Sequence, residues 1–330
     1  NGSIYIERDS TIIQSNVFKN KLISNLRIDT KNYVHFLDSV FIVNSLTIFN
    51  GNLQAKHLTL LPAAQINSSG NNTQIMATAT VHKIYPLMDG QTKLLALPFS
   101  NISSLKSFKN SIIITGKGGT SNGFDSAKHE TPSAYYLDTS SNNSTRLIFK
   151  PFTKMDSSFW EQNSALKIWL YPKDSTYSNQ TPFVASKKQD VIIDVVAHGT
   201  FQHGTLENHF PIHPLTRYYL TGNPYPAAID ISKVSNSSSI GKYYWYWDES
   251  LGTTGNYTAG AFRHPRVVQK LEGFVIKNMA ALDGYLFYDE RTKINLNDSI
   301  DTTRYKKEYA HISLQFMQEN NLLDKLEIVG

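Results

Sequence analysis

Short runs of β-branched and aromatic residues, each bounded by Asn, Gly, Ser or Pro, recur along the whole chain of 330 residues. Val, Ile, Thr, Tyr and Phe fit the pleated surface of a sheet, and the bounding residues are those that turns require. Charged residues make up 18% of the chain, below the roughly 25% of an average soluble domain, and Asn, Ser and Thr replace them. Only 103–109 and 227–234 are candidates for short helices. The pattern predicts an all-β protein.

The N-terminal part of the chain carries a weak internal repeat. The segment 44–48 (NSLTI) is echoed by 56–60 (KHLTL), and 24–28 (SNLRI) is a more distant copy. The turn signals 50–52 (NGN) and 68–71 (SSGN) lie between such runs, where we expect positive φ angles. Short strands that repeat between sharp turns predict a β-solenoid or a meander.

The pattern changes beyond Tyr85-Pro86, where the segments become longer and more aromatic. Candidate strands such as 165–171 and 242–247 are separated by Gly, Asn, Ser and Pro. Spacing of this kind predicts a β-sandwich of the jelly-roll type. We therefore expect two domains, a strand-repeat region of β-solenoid type over 1–85 and an aromatic-rich β-sandwich over 86–330.

Composition argues against several classes of function. The 32 Lys and Arg residues against 27 Asp and Glu give a net charge of +5 that is scattered along the chain, so no nucleic-acid partner is predicted. Cysteine is absent, which removes disulfides, thiolate zinc sites and thiol nucleophiles and favours a bacterial surface protein. No stretch reaches the roughly 18 apolar residues of a membrane-spanning helix, so no membrane insertion is predicted. Residues 1–8 do not resemble a secretion signal, and we expect any export signal to lie outside this sequence.

One segment of the second half, 218–230 (YYLTGNPYPAAID), carries two closely spaced prolines. Each proline fixes its own φ and restricts the preceding residue to an extended conformation, so the segment predicts a rigid corner. Gly222 allows a turn just ahead of the corner, and Asp230 can cap a following helical turn or hold exposed amides. An architectural role is favoured over a ligand role for Asp230. The residues of this structural motif are Gly222, Asn223, Pro224, Tyr225, Pro226 and Asp230.

The same segment resembles the Gly-Asn-Pro-Tyr-Pro-Ser-x-Ile-Asp signature of large secreted proteins of Bacteroidetes that the type IX system exports. Ala227 stands where that family has Ser, 93–98 (KLLALP) replaces its aromatic opening, and its C-terminal sorting domain is not visible. The resemblance covers roughly 94–293. Further motifs follow in the order of the family, namely 199–204 (GTFQHG) upstream, then 244–248 (YWYWD), 272–277 (EGFVIK) and 286–287 (LF) with Arg291.

The resemblance implies an extracellular protein of the bacterial cell surface. We expect such a protein to act in adhesion or as a structural unit of an extracellular assembly. Its partners would be the export machinery and either surface glycans or protein surfaces, the latter being other copies of itself or other surface proteins.

The sequence contains no pattern of residues that is specific for a catalytic site or a metal site. His203, His209 and His213 lie in one segment, but they lack both the i, i+4 spacing of a zincin and an H-x-H pair. Structural histidines are therefore favoured over a zinc or nickel site. The adjacent acids 248–249 and 289–290 favour turn-facing carboxylates over the separated pair of a glycosidase. We predict a non-catalytic protein without cofactors, with a secreted hydrolase as an alternative.

An aromatic strand is predicted at 243–247 (YYWYW). By the period of two, positions 243, 245 and 247 share one face and positions 244 and 246 share the other. One face should fill the core, and the other could stack on sugar rings. Core packing is favoured, with a carbohydrate-binding module as the alternative function. The candidate sugar-binding residues are Tyr244, Tyr246, Trp160 and Trp169.

Four Asp-Ser pairs resemble the acceptor motif of Bacteroidetes O-glycosylation. This resemblance implies that the chain is a glycoprotein, as is common for extracellular proteins. The candidate acceptor residues are Ser10, Ser39, Ser126 and Ser299.

Overall fold

The structure is a computed structural model, and it is nearly all β. Helical residues occur in the 3-10 segments Lys19–Lys21, Leu105–Phe108, Gly119–Asn122, Ile231–Lys233 and Glu290–Thr292. The prediction of an all-β fold that begins with a short β-solenoid is confirmed, and additional antiparallel sheets follow the solenoid. The structure describes all residues except 1–2, 8–9, 15–17, 70–72, 89–90, 101–104, 109–111, 127–129, 140–146, 157–164, 171–189, 213–217, 252–254, 295–311, 319–320 and 329–330.

The N-terminal region is a β-solenoid of about three turns. Its long extended segment β3 (Leu22–Leu60) pairs in parallel with the four other strands of the coil. Side chains in equivalent positions of successive turns are 20 to 22 residues apart and bond to each other. The strands are β1 (Ser3–Ile6), β2 (Thr11–Ile13), β3 (Leu22–Leu60), β4 (Gln65–Ser69) and β5 (Ile75–Met88).

A column of buried aliphatic residues fills the solenoid because equivalent positions stack. Leu26 faces Ile4 of the preceding turn, Leu46 faces Ile66 of the following turn, and all four are at most 1% exposed. Beside this column, Asn25 donates to Ser3 at 3.2 Å and accepts from Ser45 at 2.9 Å. The segments 24–28 and 44–48 are thus equivalent positions on successive turns.

The predicted repeat was wrong in one respect. The segment 56–60, which echoes 44–48 in sequence, lies on a different side of the coil, where Leu58 pairs with Ala79 of β5. The similarity between 44–48 and 56–60 therefore reflects the alternating pattern of strands within one turn. It does not mark equivalent positions on successive turns. The expected positive φ is confirmed at Gly51, where φ is 82° and an added Cβ would lie 2.2 Å from Thr30 Oγ1.

The proposed domain boundary between residues 85 and 86 falls inside strand β5. The backbone of β5 continues to Met88 and pairs antiparallel with β10 (Asp190–Gly199), which belongs to the later part of the chain. One buried cluster also contains both Leu58 of the solenoid and Ile168 of a later sheet. The two regions are therefore joined by a shared sheet and a shared core, without a linker at this position.

Three larger antiparallel sheets follow the solenoid in the described fold. The middle sheet has the order β12 (Tyr218–Gly222), β18 (Gly273–Asn278), β15 (Ile240–Asp248), β16 (Asn256–Ala261). An outer sheet on one side consists of β11 (Leu206–Phe210), β19 (Gly284–Tyr288) and β14 (Ser235–Asn236). A second outer sheet, next to the solenoid, has the order β6 (Gln91–Ala96), β9 (Ala165–Leu170), β7 (Ala134–Leu137), β8 (Phe149–Pro151).

Buried side chains cover both faces of the middle sheet. Phe274 and Ile276 pack with Leu286 of the first outer sheet, and Val275 packs with Leu94 and Ala165 of the second. This arrangement follows from the alternation of side chains along β18.

The remaining strands form two small antiparallel sheets. One is the pair β13 (Ile229–Asp230) and β17 (Val267–Val268). The other is the hairpin of β20 (Ile312–Gln318) and β21 (Asn321–Ile328), in which β21 lies beside β1.

Candidate functional site

The aromatic strand β15 divides its side chains between the two faces of the middle sheet, as the period of two predicts. Tyr244 is 1% exposed, and its ring centroid lies 5.2 Å from that of Phe262 and 5.5 Å from that of Phe274. Trp245 and Trp247 pack in the cluster on the opposite face. The hypothesis that Tyr244 stacks on sugars is therefore wrong, because its ring is enclosed in the core between two sheets.

Trp247 forms one wall of a half-buried cleft of about 300 Å³ on that opposite face. We call this the aromatic cleft. Its sides come from all four strands of the second outer sheet, β6, β7, β8 and β9, and from β15 of the middle sheet. The lining residues include Tyr135, Phe149, Lys167, Ile168, Trp169 and Trp247.

The ammonium group of Lys167 is surrounded by aromatic rings. Its Nζ lies 4.5 Å from the ring centroid of Trp247, 5.2 Å from that of Phe149 and 5.8 Å from that of Tyr257. Burial lowers the pKa of Lys167 below its usual range. Within the described part of the chain, no carboxylate forms an ion pair with this lysine. The cleft therefore combines stacking surfaces with a cation whose neighbours are rings.

A second recess of about 550 Å³ adjoins the cleft, and Trp247 lines both. We call it the charged recess, because the cations Lys83, Lys93 and Arg266 and the acids Asp248, Glu249 and Glu272 line it. Most of these charges are already matched. Arg266 Nη2 lies 2.6 Å from Glu272 Oε1, and Lys93 forms an ion pair with Glu249.

Burial lowers the pKa of Lys83 to about 8, although Glu272 opposes the shift. Tyr246, one of the predicted sugar-binding residues, is half-buried at this recess, where the guanidinium of Arg266 lies 3.7 Å from its ring centroid. Arg266 thus occupies one face of the Tyr246 ring. That contact leaves the aromatic cleft as the better stacking site.

The proline-rich motif connects the antiparallel sheets to the solenoid. Asn223 is fully buried, and its side-chain amide donates to the main-chain oxygens of Ala227 at 2.6 Å and Val268 at 3.1 Å. Its Oδ1 accepts from the backbone amide of Tyr225 at 2.9 Å. The oxygen of Pro226 then accepts from the amide of Ile66 in the solenoid at 3.1 Å.

The other residues of the motif also have structural contacts. Asp230 caps the 3-10 turn Ile231–Lys233 by accepting from the amide of Ser232 at 3.0 Å. Gly222 was expected to supply a turn, but its φ is not positive. It is required instead for close approach, since an added Cβ would lie 2.4 Å from the Cβ of Ala96. Tyr225 donates to the oxygen of Gly204 through its hydroxyl.

The histidines do not assemble a metal centre among the described residues, where no group of three or more His, Asp or Glu side chains could hold an ion. His209 Nε2 lies 2.8 Å from Asp283 Oδ2. Burial, and then the charge of Lys293, lowers the pKa of His203, while Glu290 opposes the shift. His213 lies outside the described residues.

The candidate acids of a hydrolase are bound into local turns. Asp248 accepts from the hydroxyl of Ser250 at 2.6 Å, and Asp289 accepts from the guanidinium of Arg291 at 2.6 Å. Glu290 accepts from the buried ammonium of Lys293 at 2.7 Å. These contacts indicate that the carboxylates stabilise the turns in which they lie.

The candidate glycosylation sites occupy different environments. Ser10 and Ser126 are exposed, and Ser39 is half-buried within β3. Ser299 lies outside the described residues, as does Trp160 among the candidate sugar-binding residues.

Comparison with protein-family models, curated proteins and solved structures yields no significant match to this chain. In the described part of the chain, no helix has both the length and the apolar character needed to cross a membrane. The family resemblance given above therefore rests on its sequence motifs.

Proposed function

We propose that this chain is a non-catalytic, extracellular β-protein of the bacterial cell surface that acts in adhesion by binding glycans in the aromatic cleft. The observation that carries the proposal is the half-buried cleft that Tyr135, Phe149, Trp169 and Trp247 line together with Lys167. Aromatic rings offer flat apolar surfaces for the C–H faces of sugar rings, and a few polar groups then fix the orientation. The cleft volume of about 300 Å³ is at the lower end of ligand sites, roughly 300–1,000 Å³, and suits one or two sugar units.

Two further observations support this function over catalysis and over an intracellular role. The acids Asp248, Asp289 and Glu290 are engaged by hydrogen bonds or ion pairs within their own turns. The chain contains no cysteine, and its motifs follow the order of exported Bacteroidetes proteins. Export by the type IX machinery and modification of the Asp-Ser motifs belong to the same proposal.

A glycan array followed by isothermal titration calorimetry tests the binding function. We expect at least one bound glycan class and a loss of affinity of tenfold or more in Trp169→Ala. Trp245→Ala is the matched control, because Trp245 lies on the face of the middle sheet that also carries Trp247 but lines neither recess. An array without any bound glycan, or equal losses in the two variants, would contradict glycan binding in the cleft.

A structural unit of an extracellular assembly is the alternative. Analytical ultracentrifugation over a wide concentration range distinguishes the two functions. Concentration-dependent growth of large species without any glycan affinity would favour assembly, whereas a stable monomer that binds glycans would favour adhesion.

A further inference from the structure

Lys167 differs from Lys293, Lys270 and Lys93 in what its ammonium contacts. Lys293 lies 4.6 Å from the ring centroid of Tyr225, but it also pairs with the carboxylate of Glu290 at 2.7 Å. Lys270 donates to main-chain oxygens, the nearer at 2.6 Å, and Lys93 pairs with Glu249. The ammonium of each of these lysines is paired with at least one oxygen atom of the protein.

The half-buried ammonium of Lys167 has rings around it, and no oxygen of the described residues forms a hydrogen bond or ion pair with it. A buried cation is normally compensated by a charge or by several hydrogen bonds, and ring faces compensate it only in part. An anion that enters the cleft would complete this environment in the way Glu290 does for Lys293. The rings on either side would at the same time accept the body of the ligand.

We infer that the aromatic cleft selects an acidic sugar, with the carboxylate or sulfate of the sugar paired to Lys167 and its ring stacked on the cleft aromatics. This inference rests on the proposed glycan binding and narrows it to one ligand class. The ring walls favour an anion carried on a pyranose over a free inorganic anion, which would leave Tyr135, Phe149 and Trp169 without contact.

The neighbouring charged recess allows the glycan to continue beyond the first sugar. Trp247 lines both recesses, so a second unit linked to the first would pass over this ring. Lys83 and Arg266 line the charged recess, together with Asp248 and Glu272. The mixed charge there makes the recess a weaker source of anion selectivity than Lys167.

Calorimetric titration with three tetrasaccharides of matched length tests the inference, using a hexuronate, a sulfated galactan and a neutral galactan. We expect an acidic tetrasaccharide to bind at least tenfold more tightly than the neutral one, and its affinity to fall as salt is raised from 50 to 500 mM, since charge pairs are screened. The comparison of hexuronate with sulfated galactan identifies which acidic group the cleft accepts.

The variant Lys167→Met should bring the affinity for the acidic tetrasaccharide down to that for the neutral one, because methionine keeps the contact with the rings and removes the charge. Lys277→Met is the matched control, since Lys277 also lies over an aromatic ring, 5.0 Å from the centroid of Tyr218, but lines neither recess. Lys167→Arg retains the charge and should retain the preference, which guards against a folding defect in the methionine variant.

The possible outcomes separate the inference from the function on which it rests. Equal affinity for acidic and neutral tetrasaccharides, or an acidic preference that persists in Lys167→Met, overturns the role of Lys167 while glycan binding stands. No binding of any tetrasaccharide, together with an empty glycan array, overturns both.

Discussion

The ammonium nitrogen of Lys270 lies 2.6 Å from the main-chain oxygen of Ala64 and also donates to that of Leu61 at 3.1 Å. Lys270 follows β17 in the sandwich region, whereas the two acceptors form the corner between β3 and β4 of the solenoid. The lysine is only 6% exposed. The ammonium of Lys270 therefore links the last turn of the solenoid to the antiparallel sheets. The hydrogen bond from the amide of Ile66 to the oxygen of Pro226 is a second link between the same two regions.

Replacing Lys270 by Met should lower the free energy of unfolding by roughly 2–3 kcal/mol, because hydrogen bonds to a charged donor are lost and buried carbonyl oxygens lose a partner. Guanidinium denaturation followed by circular dichroism measures the effect. Lys242→Met, at an exposed position of β15, should change the unfolding free energy by less than about 0.5 kcal/mol. Equal stability of the two variants would show that Lys270 does not stabilise the link between the two regions.

Asn223 should be among the most sensitive polar positions of the fold. The change Asn223→Ala removes donors to Ala227 and Val268 and the acceptor for Tyr225, so we expect a loss of roughly 3 kcal/mol in unfolding free energy. Thermal and guanidinium unfolding measure the loss. Asn236→Ala, at an exposed position of β14, is the control and should be nearly neutral. A neutral Asn223→Ala would contradict a structural role for the proline-rich motif.

The adjacent residues Tyr243 and Tyr244 provide a paired test of the face assignment. Tyr244 is 1% exposed and Tyr243 is 54% exposed. Tyr244→Ala should cost about 3–5 kcal/mol of unfolding free energy, as expected for deleting a buried aromatic side chain. Tyr243→Ala should remain within about 0.5 kcal/mol of the parent protein. The assignment would be overturned if the larger loss occurred at Tyr243.

Lys83 should make stability rise with pH in the alkaline range. Burial lowers its folded pKa to about 8 from the usual 10.5, with Glu272 opposing, so between these values the unfolded chain binds more protons than the folded protein. The penalty for burying the charge is fully present below about pH 8 and is relieved as the pH rises towards 10.5.

Guanidinium denaturation at pH 7.5 and 9.5 measures this dependence. The unfolding free energy of the parent protein should rise relative to that of Lys83→Met at the higher pH, because the parent loses its penalty there. Lys242→Met, which alters an exposed lysine, should leave the pH dependence of the parent unchanged. A difference for Lys83→Met that is constant over this range would contradict a lowered pKa.

Several local features could be predicted from the sequence because they depend on neighbours along the chain. The cap formed by Asp230, the positive φ of Gly51 and the alternation along 243–247 are of this kind. Their physical causes are the preferred backbone angles of particular residues and the period of two of a strand. The function of Gly222 was not predictable, because the crowding by Ala96 comes from a distant strand.

The candidate site depended on long-range pairing that sequence spacing does not show. Lys167 and Trp169 point to one face of β9 by alternation, and that signal was available in the sequence. Their proximity to Phe149 and Trp247 was not, because it requires β8, β9 and β15 to meet across two sheets. The same reason explains why β5 continues through the proposed boundary at residues 85 and 86, since β10 returns to pair with β5.

The sequence by itself determined that this chain is an all-β protein with a solenoid start, a rigid proline corner and no thiol chemistry. Those properties follow from local propensity and composition, which act on each segment separately. The tertiary structure alone decided that Tyr244 is core, that Lys270 joins the two regions, and that Lys167 lies among aromatic rings. Burial and charge compensation are properties of the assembled sheets, in which residues far apart in the chain become neighbours.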